Sequence, residues 1–125
     1  MGHGEEIVFA DAHFPAHQFG QRVLRADGLQ IPALLEAILP LFELDAYDAT
    51  PVMMMDVVAG DSADPTVEAS YTAVINAHQA NVPAIGKIER FAFYERTKQA
   101  HVIVSTGDTA KYANVILKKG VTPTT

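Results

Sequence analysis

The sequence predicts a single α/β domain built on a mixed, mainly parallel sheet. Short apolar runs alternate along it with segments of helical spacing, and no linker, repeat or low-complexity stretch divides its 125 residues. A chain of this size buries roughly two thirds of its unfolded surface around one core. The content of 49% hydrophobic and 19% charged residues is that of an ordinary globular protein.

Residues 7–10 form an apolar run after a Gly-His-Gly turn and end at Asp11, which predicts a buried strand that delivers polar groups at its C-terminal end. A very short strand is expected at 23–25. Ile31, Leu34, Leu35, Ile38 and Leu39 then recur at helical spacing until Pro40 stops the pattern, so one face of that helix packs on the core. Residues 52–58 are a continuous apolar run broken by one acid and closed by Gly60, expected as a central strand.

Asp64 followed by Pro65 is a strong helix start. The carboxylate can cap, and proline at the first helical position lacks only an N–H that would have no partner anyway. Val67, Tyr71, Val74, Ile75 and His78 mark the inner face of this second helix, which should end between 79 and 83. A weak strand at 85–89, a helix at 91–100, a strand at 101–105 stopped by Thr106, Gly107 and Asp108, and a last strand at 115–117 complete the pattern. Antiparallel members, if any, belong near the C-terminus.

The formal net charge of -6 argues against general binding to nucleic acid or to an anionic membrane. There is no cysteine, which removes disulfides, thiolate chemistry and cysteine-based zinc sites. Residues 1–6 hold two carboxylates and no lysine or arginine, unlike the basic n-region of a secretory leader, and no apolar run has the length of a membrane span. The expected setting is the cytoplasm.

Three polar clusters fall at turns or strand ends, where α/β proteins place their sites. In the first, glycines on both sides of His3 permit backbone angles that could aim the imidazole, with Asp11 and His13 beyond the strand. A plain N-terminal turn is the competing reading. Asp11, His13 and His17 also invite a metal reading, but Pro15 disrupts the helical turn that would put the two imidazoles on one face. Ordinary loop histidines are the better expectation, with no metal.

The second cluster, residues 89–96, combines aromatic rings with Arg90 and Arg96. That mixture suits a sugar, which offers an apolar C–H face and a rim of hydroxyls, although a helix with Phe91 and Tyr94 in the core reads equally well. The third is Lys111, Tyr112, Ala113 and Asn114, just before the last strand, and could equally be a plain turn. Met53–Met55 reads as core filler.

Residue types and spacing stop at a polar pocket without a substrate. Residues 1–17, with their Met-Gly-His-Gly opening, together with 22–28, 38–44, 90–96 and 110–123, resemble the fucose mutarotase and ribose pyranase family, and within it the fucose branch. The resemblance covers nearly the whole chain. It implies a three-layer α/β/α fold and a cofactor-free sugar isomerase acting on the anomers of L-fucose, assembled as a homo-oligomeric ring, commonly a decamer, with sites near subunit contacts.

Carried over position by position, the resemblance puts His3 on the family's catalytic histidine, Asp11 and Arg90 on substrate-binding positions, and Tyr112, Ala113 and Asn114 on the C-terminal sugar-binding segment. Asp11 is expected to orient His3 or to accept a sugar hydroxyl. Family members usually carry a helical segment of about twenty residues ahead of the Met-Gly-His-Gly, absent from this sequence, and the anchoring of His3 and ring assembly are expected to depend on it. The rivals are a ribose pyranase, a non-catalytic monosaccharide-binding protein and, more distantly, a metal hydrolase on Asp11, His13 and His17.

Overall fold

The computed structural model describes residues 1–121; the last four of the single domain expected over 1–125, and the end of the family-like segment 110–123, lie outside them. The order of elements is β1 (Glu6–Ala10), α1 (Ala16–Phe19), β2 (Val23–Ala26), α2 (Ile31–Ile38) continued by a 3₁₀ turn at Leu39–Leu41, β3 (Val52–Met55), α3 (Pro65–His78), β4 (Gly86–Ile88), α4 (Arg90–Gln99), β5 (Val102–Thr106) and β6 (Val115–Lys118). The strands form one sheet in the order β2-β5-β1-β6-β3-β4.

The pairs β2–β5, β1–β5 and β3–β4 are parallel, whereas β6 runs antiparallel to both of its neighbours. The expected mixed, mainly parallel sheet is therefore present, and its reversed member is the C-terminal one. Because β6 is reversed, its start lies at the same edge as the ends of the other strands.

Side chains alternate across the sheet as the two-residue period of a strand requires. Ile7, Phe9, Val52, Met54, Val102, Val104, Val115 and Leu117 face one layer with Ile31 and Leu35 of α2 and Tyr71 and Ile75 of α3. Val8, Ala10, Met53, Met55, Ile103 and Ile116 face the other, with Ala16 of α1 and Phe93 of α4. Two apolar faces need two covers, which produces the three layers. Among the described residues no helix is long and apolar enough to cross a membrane.

Helix starts follow the capping chemistry. Asp64 caps α3 by accepting from Thr66 N at 2.9 Å, and Glu89 caps α4 by accepting from Phe91 N at 2.8 Å and Ala92 N at 3.3 Å. In α4 the core residue is Phe93, fully buried, and Tyr94 packs partly buried against the same cluster, while Phe91 is 63% exposed, so of the alternative reading with Phe91 and Tyr94 in the core the Phe91 half is corrected. The reason is rotational: Glu89 starts the helix so that Phe93 and Thr97, four residues apart, share the inward face.

The expected strand over 52–58 stops at Met55. Asp56 N still donates to Ile88 O at 2.7 Å, but β4 then turns into α4 and offers no further partner. Residues 56–58 leave the sheet instead. The short helix α1 carries no sequence pattern strong enough to have been expected.

Gly107 permits a close approach in the turn after β5. A Cβ there would lie 1.9 Å from Asp27 O, so only glycine lets the turn pass. Asp108, beside it, accepts from Ile31 N at 3.1 Å and Ala110 N at 3.1 Å, tying the start of α2 to the sheet edge.

The buried Tyr71 hydroxyl donates to Ala113 O at 2.7 Å and so pins the segment before β6 onto α3. Tyr71→Phe leaves that carbonyl without its partner and is expected to lower unfolding stability by about 1–3 kcal/mol. Urea unfolding of the two proteins checks this, and equal midpoints and slopes would show that the bond contributes nothing.

Candidate functional site

The C-terminal ends of the parallel strands and the start of β6 meet at one edge of the sheet. A cleft of about 470 Å³ opens there, lined by residues that include Asp11, Tyr94, Arg90, Tyr112 and Asn114. That volume lies in the range of small-molecule sites.

Its floor is held by the chain's own polar groups. Asp11 N donates to Asn114 Oδ1 at 2.8 Å, while the Asp11 carboxylate accepts from His13 N at 3.0 Å and Ala113 N at 3.4 Å. Because Asp11 N is a donor, the Asn114 side chain must present its oxygen to it. Its NH₂ group is then the half left for an occupant of the cleft. Thr106 Oγ1 donates to Ala10 O at 2.8 Å and Ala12 N to Asp108 O at 2.7 Å, so the turns after β1 and β5 are stitched together beneath the floor.

Burial raises the Asp11 carboxyl above the ordinary aspartate value, and the N–H groups of His13 and Ala113 and the nearby His13 ring offset only part of this. Arg90, first residue of α4, carries its guanidinium to the cleft wall, with Cζ 4.7 Å from the Phe91 ring centroid. Tyr112 has φ 55°, a left-handed backbone rare for a bulky residue and found where a site constrains the chain. Its hydroxyl donates to Asp61 Oδ2 at 2.8 Å and accepts from Val58 N at 3.3 Å.

Asp61 also accepts from Lys111 Nζ at 2.8 Å and Ser62 N at 2.8 Å. The Lys111 ammonium, the Tyr112 hydroxyl and the Ser62 N–H together hold its carboxyl at about 2. Sequence reasoning passed over Asp61. The signal available was a Gly-Asp turn in a loop that follows a strand at the edge where α/β proteins place their sites.

The expected site residues separate into two groups. Asp11, Arg90, Tyr112 and Asn114 converge on the cleft. Ala113 does not line it: the residue is fully buried and its N–H and C=O are bound to Asp11 and Tyr71, so it holds the floor. His3 lies at the opposite edge of the sheet, because β1 alone puts roughly 13 Å of strand between the two ends.

His3 Nε2 is 3.2 Å from Asp45 Oδ1, and its ring lies 5.9 Å from that of Tyr47, which is 85% exposed. The expectation that Asp11 orients His3 is corrected within the chain: Asp45 does so. Burial pushes the Asp45 carboxyl up, but bonds from His3 and from the N–H groups of Asp48 and Tyr47 outweigh it and leave it lowered. Among the described residues no group of three His, Asp or Glu side chains could hold a metal ion, so Asp11, His13 and His17 do not form a ligand set.

The model of the RbsD / FucU transport protein family matches residues 1–122. This chain belongs to that family. It is 58% identical over 123 residues to an L-fucose mutarotase of Histophilus somni (strain 2336), covering 98% of this chain and 85% of the relative. A second L-fucose mutarotase, from Glaesserella parasuis serovar 5 (strain SH0165), is also 58% identical, with 98% and 84% covered. The fold is that of the fucose mutarotase of Streptococcus pneumoniae solved in complex with L-fucose, with TM-score 0.93, 45% identity, and 98% of this chain and 87% of that one covered.

The two cleft carboxylates titrate in opposite senses. Asp11 has a folded-state value above its unfolded one, so folding takes up a proton and stability falls as pH rises through that window. Asp61 is depressed, so its contribution is complete above the ordinary value of 3.8 and is lost as pH falls towards about 2. Carboxyl carbon NMR during acidification should show Asp11 protonating before Asp61, and the reverse order would contradict the assignment.

Proposed function

We propose that this protein is an L-fucose mutarotase that exchanges the α and β anomers of the sugar by proton transfer alone, acting in the cytoplasm as a homo-oligomer. The observation that carries the reading is the cleft itself. A buried carboxyl at Asp11, the guanidinium of Arg90, the amide of Asn114 and the phenol of Tyr112 surround a space sized for one monosaccharide, in a chain 58% identical to L-fucose mutarotases.

The reaction needs a base for the proton of the anomeric hydroxyl and an acid for the ring oxygen. As the bond from C1 to the ring oxygen breaks, the ring oxygen becomes a hydroxyl and C1 with its former hydroxyl oxygen becomes an aldehyde. Rotation about C1–C2 presents the other face, and ring closure returns both protons. No electron leaves the sugar, so no redox partner enters the balance.

Arg90 and the Asn114 NH₂ donate to sugar oxygens, Asp11 accepts from a hydroxyl, and Tyr94 with Phe14 and Pro15 presents an apolar wall to the C–H face. His3 is the acid-base group, held by Asp45. An imidazole can both give and accept a proton, which contributes about 10²- to 10⁴-fold in rate.

His3 and the cleft lie at opposite edges of one chain, so the reading requires that His3 of one subunit complete the cleft of another. The half-exposed His3 side chain and the exposed ring of Tyr47 beside it support such a contact. A closed ring, with ten subunits as the proposed number, satisfies it for every copy.

Saturation-transfer NMR between sugar anomers tests the reading. The protein should accelerate α/β exchange of L-fucose more than ring interconversion of ribose, and His3→Gln should lose about 100-fold or more of that rate while L-fucose still binds. Equal exchange with and without protein would refute catalysis. Binding without acceleration would support a sugar-binding protein, and a ribose preference would support a pyranase. Light scattering on the same samples should show activity falling as the oligomer dissociates.

A further inference from the structure

We infer that Asp61 is a positioning residue that fixes the polarity of the Tyr112 hydroxyl, making it a hydrogen-bond acceptor towards the sugar; this rests on the reading of the cleft as a monosaccharide site. Asp61 stands on the loop between β3 and α3, where Gly60, at φ 86°, lets the chain turn back so that Asp61 N donates to Val58 O at 2.9 Å. The loop thus brings two groups onto one phenol: the Asp61 carboxylate takes its proton at 2.8 Å, and Val58 N donates to its oxygen at 3.3 Å.

A phenol has one O–H to donate and two lone pairs. With the proton committed to a carboxylate and one lone pair to Val58, a single lone pair is left for the cleft. A sugar hydroxyl must therefore donate to Tyr112. The neighbouring Arg90 and Asn114 NH₂ offer only donors, so a hydroxyl that accepts from one of these and donates to Tyr112 uses its single proton and one of its two lone pairs. The carboxyl, held at about 2, is ionised throughout the neutral range and serves as a fixed acceptor.

The two oxygens of Asp61 are not equivalent, which gives the inference a sharp test. Oδ1 accepts from Lys111 Nζ and Ser62 N, both obligatory donors, whereas Oδ2 faces Tyr112. In Asp61→Asn the amide oxygen must stay with Lys111 and Ser62, and the NH₂ then meets the phenol. Tyr112 becomes the acceptor there and turns its O–H towards the cleft, reversing its polarity. The loop keeps its tether to Lys111.

The experiment is a double-mutant cycle on the full chain with L-fucose, read by saturation transfer, comparing the unsubstituted protein, Asp61→Asn, Tyr112→Phe and the double variant. Asp61→Asn is expected to raise KM about 10-fold with kcat falling less than threefold, Tyr112→Phe to have a similar effect on KM, and the double variant to be no worse than Tyr112→Phe alone. A further 10-fold rise in the Tyr112→Phe background would show that Asp61 acts without Tyr112, and an unchanged KM in Asp61→Asn would show that polarity is irrelevant; either overturns the inference. So does a loss confined to kcat. Circular dichroism and urea unfolding identify a variant that fails to fold, in which case Asp61→Ser, which leaves a small group able to accept from the phenol, replaces it and should recover part of the KM. No exchange in the unsubstituted protein would instead refute the mutarotase reading itself.

Discussion

A carboxyl group withdrawn from water at Asp11 has to be supplied with donors by the chain itself, and the segment that supplies them is the one before β6. Ala113 N reaches one carboxyl oxygen while Asn114 returns the exchange by accepting from Asp11 N. This reciprocal pairing is available only because β6 runs against its neighbours and brings its N-terminal end to the edge where β1 finishes. A parallel β6 would deliver Tyr112 and Asn114 to the other edge. One reversal of strand direction thus sets which residues can share the cleft.

The same topology sends His3 away from that edge. At the start of β1 it meets Asp45, whose own N–H donates to Lys118 O at the far end of β6. At the cleft the Asp11 carboxylate organises the floor, and at the other edge the Asp45 carboxylate holds His3. Their environments push them in opposite directions, upward by burial at Asp11 and downward by His3 and the backbone donors at Asp45. On the proposed reading, in which His3 of one subunit completes the cleft of another, assembly and catalysis are one requirement rather than two.

Much of the fold was legible because its elements obey single-period patterns. The alternation of Ile7, Val8, Phe9 and Ala10 between two apolar layers and the spacing of Ile31 and Leu35 follow from residue type alone. The pattern failed where tertiary pairing decides the outcome. The hydrophobicity of Val57 and Val58 suggested more strand, but the neighbour β4 ends and the two valines turn outward. In α4 the aromatic residues were visible, yet which of them faces inward depends on where Glu89 caps the helix. For the site, Asp11, Tyr112 and Asn114 were legible as polar groups at strand ends, and their meeting follows from the direction of β6, which no local pattern encodes. The separation of His3 is likewise a property of topology, and Asp61 matters only because the loop after β3 folds back onto Tyr112.

The cleft is consequently held by two kinds of bond. Its floor rests on buried contacts among Asp11, Ala113, Asn114 and Tyr71, where breaking one leaves an uncompensated polar group and costs about 1–3 kcal/mol. Its wall at Val58 and Asp61 rests on exposed side-chain contacts to Lys111 and Tyr112, which water can replace. The floor therefore gives the cleft a buried frame, and the wall is set by the contacts of Asp61 to Lys111 and Tyr112. On the proposed reading that division serves the sugar: the floor offers its oxygens a fixed set of partners, and the wall, through Asp61, sets which hydroxyl donates to Tyr112.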